Sequence, residues 1–194
     1  VESADRFTSN LVNVLFVICT LIVLAVLIFG GPIVRVFASG FKGETYNLAV
    51  TLTRMTVVSV YFAGLVSVFS GYLQIKGNFA VPASVGFPMN FCVIISILMS
   101  SYFANPKILG IGYIIAVASQ FILFMPFLQR KGYRHTAIFD LKDEHIINLA
   151  TIMLPLIIGS SINQINVFID RTMASRLAVG GISALNYADK VNSF

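Results

Sequence analysis

Polar side chains recur at helical spacing within an otherwise apolar run near the carboxyl end of the sequence. Ser160, Asn163, Asn166 and Asp170 follow one another at intervals of three or four residues, so they share one face if this run is a helix. Amides and carboxylates on such a face can hydrogen-bond a polar solute or hold water. The pattern fits the wall of a hydrophilic transport cavity, and it fits equally the hydrogen bonds that join membrane helices.

Charged side chains also lie in or beside apolar runs, where a charge is costly and often marks the path of a substrate or ion. The simpler interpretations are that Arg54 extends to the membrane interface, that Asp170 and Arg171 belong to that interface, and that Asp189 and Lys190 form an ion pair at a helix end. The candidate substrate-cavity residues are Arg54, Asn163, Asn166, Asp170, Arg171, Asp189 and Lys190.

Other kinds of site chemistry find no support in the sequence. The histidines, His135 and His145, and the cysteines, Cys19 and Cys92, have neither zinc-ligand spacing nor a nucleophile partner. No phosphate-binding glycine loop or hydrolase motif occurs. We predict solvated histidines, unbridged cysteines, no metal, no cofactor and no enzymatic activity, so any transport must be driven by something other than ATP hydrolysis at this chain.

The elements that carry these residues are predicted to be membrane-spanning helices. The chain is 57% hydrophobic and 11% charged, against about 45–50% and 25% in soluble domains. Crossing the hydrocarbon core takes about 20 apolar residues, and five runs qualify: 11–37, 46–73, 80–103, 108–128 and 146–169. A sixth helix begins near Ser183. These runs do not alternate as barrel strands would, so the expected fold is an all-α, polytopic transmembrane bundle.

The polar segments between the runs predict an orientation. A small excess of Lys and Arg, due mainly to the charged segment 129–145, places that segment and the amino-terminal flank in the cytoplasm. The net charge of +5 comes without a long basic run, which favours contact with membrane lipids and not with nucleic acid. Within the spans, Pro88 and Pro155 are expected to kink their helices.

Several stretches together resemble the MurJ/MviN family of lipid II flippases, within the superfamily that also holds multidrug and polysaccharide exporters. Their order and spacing extend over nearly the whole chain. The matching runs include Pro32-Ile33-Val34-Arg35, Leu52-Thr53-Arg54-Met55, Gly71-Tyr72-Leu73-Gln74, Leu154-Pro155, Ser161-Ile162-Asn163-Gln164-Ile165-Asn166, Ile169-Asp170-Arg171 and Tyr187-Ala188-Asp189-Lys190.

The resemblance implies a bundle of fourteen helices in two lobes around a central cavity, of which this chain holds about helices three to eight. Residues 1–128 would then be part of the amino-terminal lobe with four transmembrane helices, 129–145 the cytoplasmic loop between lobes, and 146–194 the start of the carboxyl-terminal lobe. The implied location is the bacterial cytoplasmic membrane, and the implied partner is an anionic, lipid-linked substrate such as lipid II. Both ends look cut, so the chain is expected to be a fragment that does not transport alone.

One position departs from the family pattern. The family usually has Arg after Tyr-Ala-Asp, whereas this chain has Lys190, which keeps the charge but loses the bidentate geometry suited to phosphate. Two other functions therefore stay open: a related exporter of drugs or polysaccharide-lipid intermediates, and a membrane scaffold that transports nothing.

Overall fold

The computed structural model describes residues 2–176 and 180–192, and within these ranges every regular element is a helix. This confirms the all-α prediction. The helices are α1 (Glu2–Phe37), α2 (Gly43–Thr56), α3 (Ser59–Ile75), α4 (Ala80–Ser84), α5 (Gly86–Tyr102), α6 (Lys107–Arg130), α7 (Glu144–Ala174) and α8 (Gly181–Asn192).

Within the described ranges, four helical stretches are long and apolar enough to cross a membrane: Asp5–Phe37, Ala80–Tyr102, Lys107–Arg130 and Glu144–Ala174. The bent pair α2–α3 makes a fifth if it is counted as one span. Large apolar side chains such as Ile28, Leu98 and Ile122 are about two-thirds exposed, at 66%, 65% and 67%. Lipid solvates such surface directly, so the predicted polytopic membrane bundle is confirmed.

The second span is broken where the sequence predicted one helix over 46–73. α2 and α3 meet at a bend of 43°, on either side of the β-branched pair Val57-Val58. Hydroxyl groups compete for backbone acceptors here, since Thr56 Oγ1 donates to the Leu52 carbonyl at 2.8 Å and Ser59 Oγ donates to the Thr56 carbonyl at 2.7 Å. Such hydroxyl bonding bends helices, and the prediction of an unbroken helix was wrong at this point.

The third span has a one-residue interruption near Pro88, the proline that is expected to kink it. α4 and α5 are separated at Val85, three residues before Pro88. Proline has no N–H to donate to the carbonyl four residues earlier, which belongs to Ser84. α7, in contrast, continues as one helix through Pro155.

The first six helices pack into one bundle. Its core brings together Val12 of α1, Phe69 and Leu73 of α3, and Phe124 and Leu128 of α6. α5 and α6 form a closely packed antiparallel hairpin, because the α6 backbone at Gly112 lies against the Ser96 side chain with no room for a Cβ atom. Small residues permit this approach between membrane helices.

Three of these helices end in the same hydrogen-bonded motif. At the end of α3, Asn78 N donates to the Leu73 carbonyl at 2.8 Å, and Gly77 has a φ of +75°. At the end of α6, Tyr133 N donates to the Leu128 carbonyl at 3.1 Å, and Gly132 has a φ of +77°. At the end of α5, Asn105 N donates to the Ser100 carbonyl at 3.2 Å. There the left-handed position is occupied by Ala104, with a φ of +49°, a conformation that glycine adopts at lower cost.

Candidate functional site

α7 separates from the bundle along most of its length. It runs in the same direction as α1, and aromatic pairs join the two helices near both ends: Phe7 with His145 at a ring separation of 6.0 Å, and Phe37 with Phe168 at 4.7 Å. In α7 only Ile146 and Ala174 are buried. In the part of the chain that the structure describes, the middle of α7, between the two end contacts, is therefore exposed.

The second contact closes the end of the molecule opposite the 129–145 segment, and we call it the far-end contact. It joins the end of α1 and the α1–α2 loop to the end of α7. Thr172 Oγ1 donates to the Phe37 carbonyl at 3.2 Å, Gly40 N donates to Ser175 Oγ at 3.1 Å, and Arg176 Nε donates to Ser39 Oγ at 3.0 Å. This contact was not predicted from the sequence, although Ser39 and Gly40 stand in a loop of small residues.

The polar stripe predicted on α7 is present and exposed. Among the described residues, no hydrogen bond involves the side chains of Asn163, Asn166 and Asp170, and all three are open to their surroundings. At about 100° per residue, this stripe lies on the side of α7 opposite Phe168 and Thr172, the residues that meet α1. The stripe therefore faces away from the α1–α6 bundle.

A second polar side of α7 faces nearer to the bundle. Arg171 and Gln164 are seven residues apart and exposed, and the helical repeat places both close to the side of Phe168. Gln164 was not among the predicted site residues, and its spacing from Arg171 was the signal that could have identified it. The structure thus divides the α7 candidates between two faces.

Arg54 lies on the α1–α2 surface. Its side chain crosses α1 at Gly30, where an added Cβ atom would be 3.2 Å from both Arg54 Cγ and Arg54 Nε. The neighbouring Gly31 faces the Tyr46 hydroxyl, and the Arg35 guanidinium lies 5.6 Å from the centre of the Tyr46 ring. Among the described residues, no hydrogen bond links Arg54 to the α7 candidates, so these predicted site residues are not brought together here.

α8 carries the last two candidates, Asp189 and Lys190, both exposed. The start of α8 adjoins the far-end contact across a cavity of ≈ 320 Å³. Residues of both sides line it: Gly40, Phe41, Lys42, Thr45, Ala174, Ser175, Gly180, Gly181, Ile182 and Ser183.

The two cysteines and the two histidines do not form a reactive site among the described residues. Cys19 is buried and Cys92 is partly exposed, and neither is in a disulfide. Both histidines are exposed, as predicted; the His135 Nδ1 atom lies 3.2 Å from the Tyr133 hydroxyl, and His145 contacts Phe7. Within the described part of the chain, no three potential ligands are grouped as a metal site would need.

A bundle of apolar spans, followed by a long helix that leaves it and carries polar faces, defines a polytopic membrane protein. A sequence profile described as "Lipid II flippase MurJ" matches residues 1–194. The chain belongs to the MurJ family of lipid II flippases.

Relatives and a solved structure agree with this assignment. A "Probable lipid II flippase MurJ" of Rickettsia prowazekii is 27% identical over 196 residues, which cover 100% of this chain and 38% of that protein. Its Vibrio cholerae counterpart is 27% identical over 189 residues, covering 92% and 36%. A solved "Lipid II flippase MurJ, inward closed conformation" superposes with a TM-score of 0.81 and 26% identity, covering 99% of this chain and 40% of that one. The chain thus spans about two-fifths of the length of these proteins.

Proposed function

We propose that this chain is part of a flippase that moves lipid II, a lipid-linked peptidoglycan precursor, across the bacterial cytoplasmic membrane. The observation that carries the proposal is the match over all 194 residues to a family of that description, supported by the structural superposition. No observation specifically favours a drug or polysaccharide exporter, or a scaffold. The protein acts by binding and movement, without making or breaking covalent bonds.

The proposed division of the chain into lobes is the one that the family resemblance implies. Residues 1–128 form part of the amino-terminal lobe, 129–145 connect the lobes on the cytoplasmic side, and 146–194 begin the carboxyl-terminal lobe. The separation of α7 from the bundle between its two end contacts supports this division. A cysteine at Thr136 should accordingly react with an impermeant thiol reagent only in opened cells; efficient labelling of intact cells would reverse the orientation.

The proposed transport cavity lies between the lobes. A pyrophosphate and sugars cannot cross hydrocarbon unaided, so cationic and hydrogen-bonding side chains must replace their water while the lipid tail stays in the bilayer. Two lobes rocking about the bound headgroup would then expose it to each side in turn. The proposed cavity residues are Arg54, Asn163, Asn166, Asp170, Arg171, Asp189 and Lys190. Gln164, which shares a side of α7 with Arg171, is a further candidate if that side, and not the stripe, faces the cavity.

A chimaera tests this function. Residues 1–194 replace the matching segment of the Vibrio cholerae relative, and the purified chimaera is reconstituted in liposomes with fluorescent lipid II. We expect lipid II to become accessible on both leaflets at a rate comparable with that of the intact relative. Protein-free liposomes are the blank. A chimaera that inserts and folds but does not flip lipid II, beside an active relative, would overturn the proposal, and flipping by residues 1–194 alone would contradict the expectation that this part does not transport by itself.

A further inference from the structure

The segment 133–140 has no regular secondary structure, yet α1 holds it in place. The side-chain amide of Asn10 pairs with both backbone groups of Asp140: Asn10 Nδ2 donates to the Asp140 carbonyl at 2.8 Å, and Asp140 N donates to Asn10 Oδ1 at 2.9 Å. Asn10 is 0% exposed. A buried amide satisfied on both sides specifies one arrangement of its partner, because leaving either group unpaired is costly.

Two further α1 side chains, on the same or the next turn, bind the same segment. Asn13 Nδ2 donates to the carbonyls of Ile138 at 2.7 Å and Thr136 at 3.2 Å. Ser9 Oγ accepts from Thr136 N at 3.2 Å, and Ser9 is 0% exposed. These bonds involve the backbone of the segment. Side chains of α1 therefore supply the hydrogen-bond partners that an adjacent strand would supply in a β-sheet.

Tyr133 anchors the beginning of the segment. Its ring lies 5.3 Å from the Phe69 ring and 5.2 Å from the Tyr72 ring, and its hydroxyl is 3.3 Å from Ser9 Oγ. The phenol, with an ordinary pKa of about 10, is neutral at physiological pH, and burial raises the pKa of the Tyr133 phenol further. Tyr133 thus holds the segment both by packing of its ring and by a hydrogen bond of its hydroxyl.

The restraint ends at Asp140. Beyond it, Lys142 N donates to Asp140 Oδ1 at 2.9 Å, and Asp143 Oδ1 accepts from His145 N at 2.9 Å at the start of α7. Both bonds are local, and among the described residues no hydrogen bond ties 141–143 to the bundle. The free connection between bundle and α7 is therefore three residues long.

We propose that segment 133–140 is a strap that stays attached to α1 throughout transport, and that residues 141–143 are the hinge between the lobes. Taking α7 and α8 as part of a moving lobe rests on the proposed function; the attachment of the strap does not. Three free residues reach about 10 Å when extended, so the start of α7 stays beside the start of α1. Movement then opens the far end by rotation about the strapped end, and the lobes do not separate as whole bodies.

Hydrogen exchange measured by mass spectrometry tests the attachment in the 1–194 chain and in the chimaera. Peptides containing the Thr136 and Asp140 amides should exchange slowly, and Asn10→Ala should accelerate them on the order of tenfold, because local opening then no longer breaks a buried pair. Asn47→Ala, at an exposed position on α2, is the matched control and should change nothing there. Exchange over 133–140 as fast as over 141–143 in the unchanged protein would overturn the strap.

Cross-linking tests whether the strap stays attached to α1 throughout transport. In a chimaera with Cys19→Ala and Cys92→Ala, cysteines replace Asn13 and Ile138, and oxidation joins strap to α1. Flipping should stay within about twofold of the reduced rate, because the bond joins α1 to a segment whose backbone already lies against the residue 13 side chain and which is proposed to stay there. Loss of flipping on oxidation, reversed by reductant, would show that the strap must detach.

Joining Phe37→Cys to Phe168→Cys with a short bifunctional reagent, which fixes the far-end contact, should instead block flipping. Inactivity of the chimaera without any of these substitutions would count against the proposed function, and hydrogen exchange would still decide the strap.

Discussion

The backbone of Gly40 lies directly against the backbone of Ser175, and a Cβ atom at Gly40 would overlap the Ser175 carbonyl. The Gly40 N–H donates to Ser175 Oγ at 3.1 Å in the same contact. The two residues are 135 positions apart, so this approach joins the α1–α2 loop to the residue following α7. Closure of the far end in this arrangement depends on the absence of a side chain at Gly40.

Gly40→Ala should loosen the far-end contact. The added methyl group cannot be accommodated by rotating a side chain, because the atoms that it meets belong to the backbone. A cysteine at Ala174, which is 7% exposed, should therefore react faster with a thiol reagent in the Gly40→Ala background. Gly71→Ala, where nothing lies within 4 Å of the added atom, is the control. Equal labelling in the two backgrounds would contradict the expectation.

Gly112→Ala should destabilise the α5–α6 hairpin. The new Cβ atom would overlap the Ser96 side chain, and overpacking costs about 1–3 kcal/mol. Adding Ser96→Gly to the same chain should recover part of that loss by removing the atom that is struck. Gly159→Ala, with open space around it, should be neutral or slightly stabilising. Reversible unfolding in detergent measures the free energy of unfolding, and a single variant as stable as the parent would rule out close packing here.

Substitutions at Gly132 and Ala104, two of the left-handed positions, should change the free energy of unfolding in opposite directions. Gly132→Ala should lower the free energy of unfolding by about 1–2 kcal/mol, because residues with a Cβ atom avoid positive φ. Ala104→Gly should raise it by about 1 kcal/mol, less the entropy that glycine adds to the unfolded chain. The same unfolding assay applies. Changes of the same sign in both variants would mean that these helix ends do not adopt the observed conformations.

Water accessibility along α7 will decide which side faces the proposed cavity. Single cysteines over 159–171 in the chimaera, labelled with a soluble maleimide, should show reactive maxima at Asn163, Asn166 and Asp170 if that stripe is hydrated. Asn166→Leu should then impair flipping more than membrane assembly. Maxima at Gln164 and Arg171 would move the cavity to the other side. Protection of the whole stripe would assign its amides to packing between helices, and those residues would no longer be proposed as site residues.

The charge at Lys190 should matter more than its shape. In the chimaera, Lys190→Gln should reduce flipping at least tenfold, since a buried anionic headgroup then loses a charge-assisted hydrogen bond worth about 1.5–3 kcal/mol. Lys190→Arg should keep or raise the rate, because guanidinium can bind two phosphate oxygens at once. Equal rates for Gln and Lys would remove this residue from the proposed site.

The helical spans could be predicted because lipid imposes a length and an apolar composition on each one. Their local geometry could not, since it depends on specific contacts. The break at Val57-Val58 arises from hydroxyl groups that look like ordinary span residues in the sequence. Within α3, a Cβ atom at Gly64 would lie 2.8 Å from Leu15 Cδ2 of α1, whereas a Cβ atom at Gly71 would meet nothing within 4 Å, and the sequence does not distinguish these two glycines.

The candidate site, too, could be predicted from the sequence only in part. Helical spacing correctly groups Asn163, Asn166 and Asp170 on one face, but periodicity does not say what that face meets. Ser9 and Asn10 drew no attention in the sequence because they stand in a polar stretch before the first span. Their partners lie more than 120 residues away, and only the fold brings them together.

The pairing of Asn10 and Asn13 with backbone atoms has a consequence for how the strap tolerates mutation. The side chains of Thr136 and Ile138 contribute no group to these bonds, so many residue types can replace them without loss. Proline is the exception at Thr136, Ile138 and Asp140, whose N–H groups are donors. An insertion or deletion of one residue, by contrast, shifts every partner out of register. Beyond the Tyr133 anchor, chain length over 134–140 is therefore under stronger constraint than residue identity.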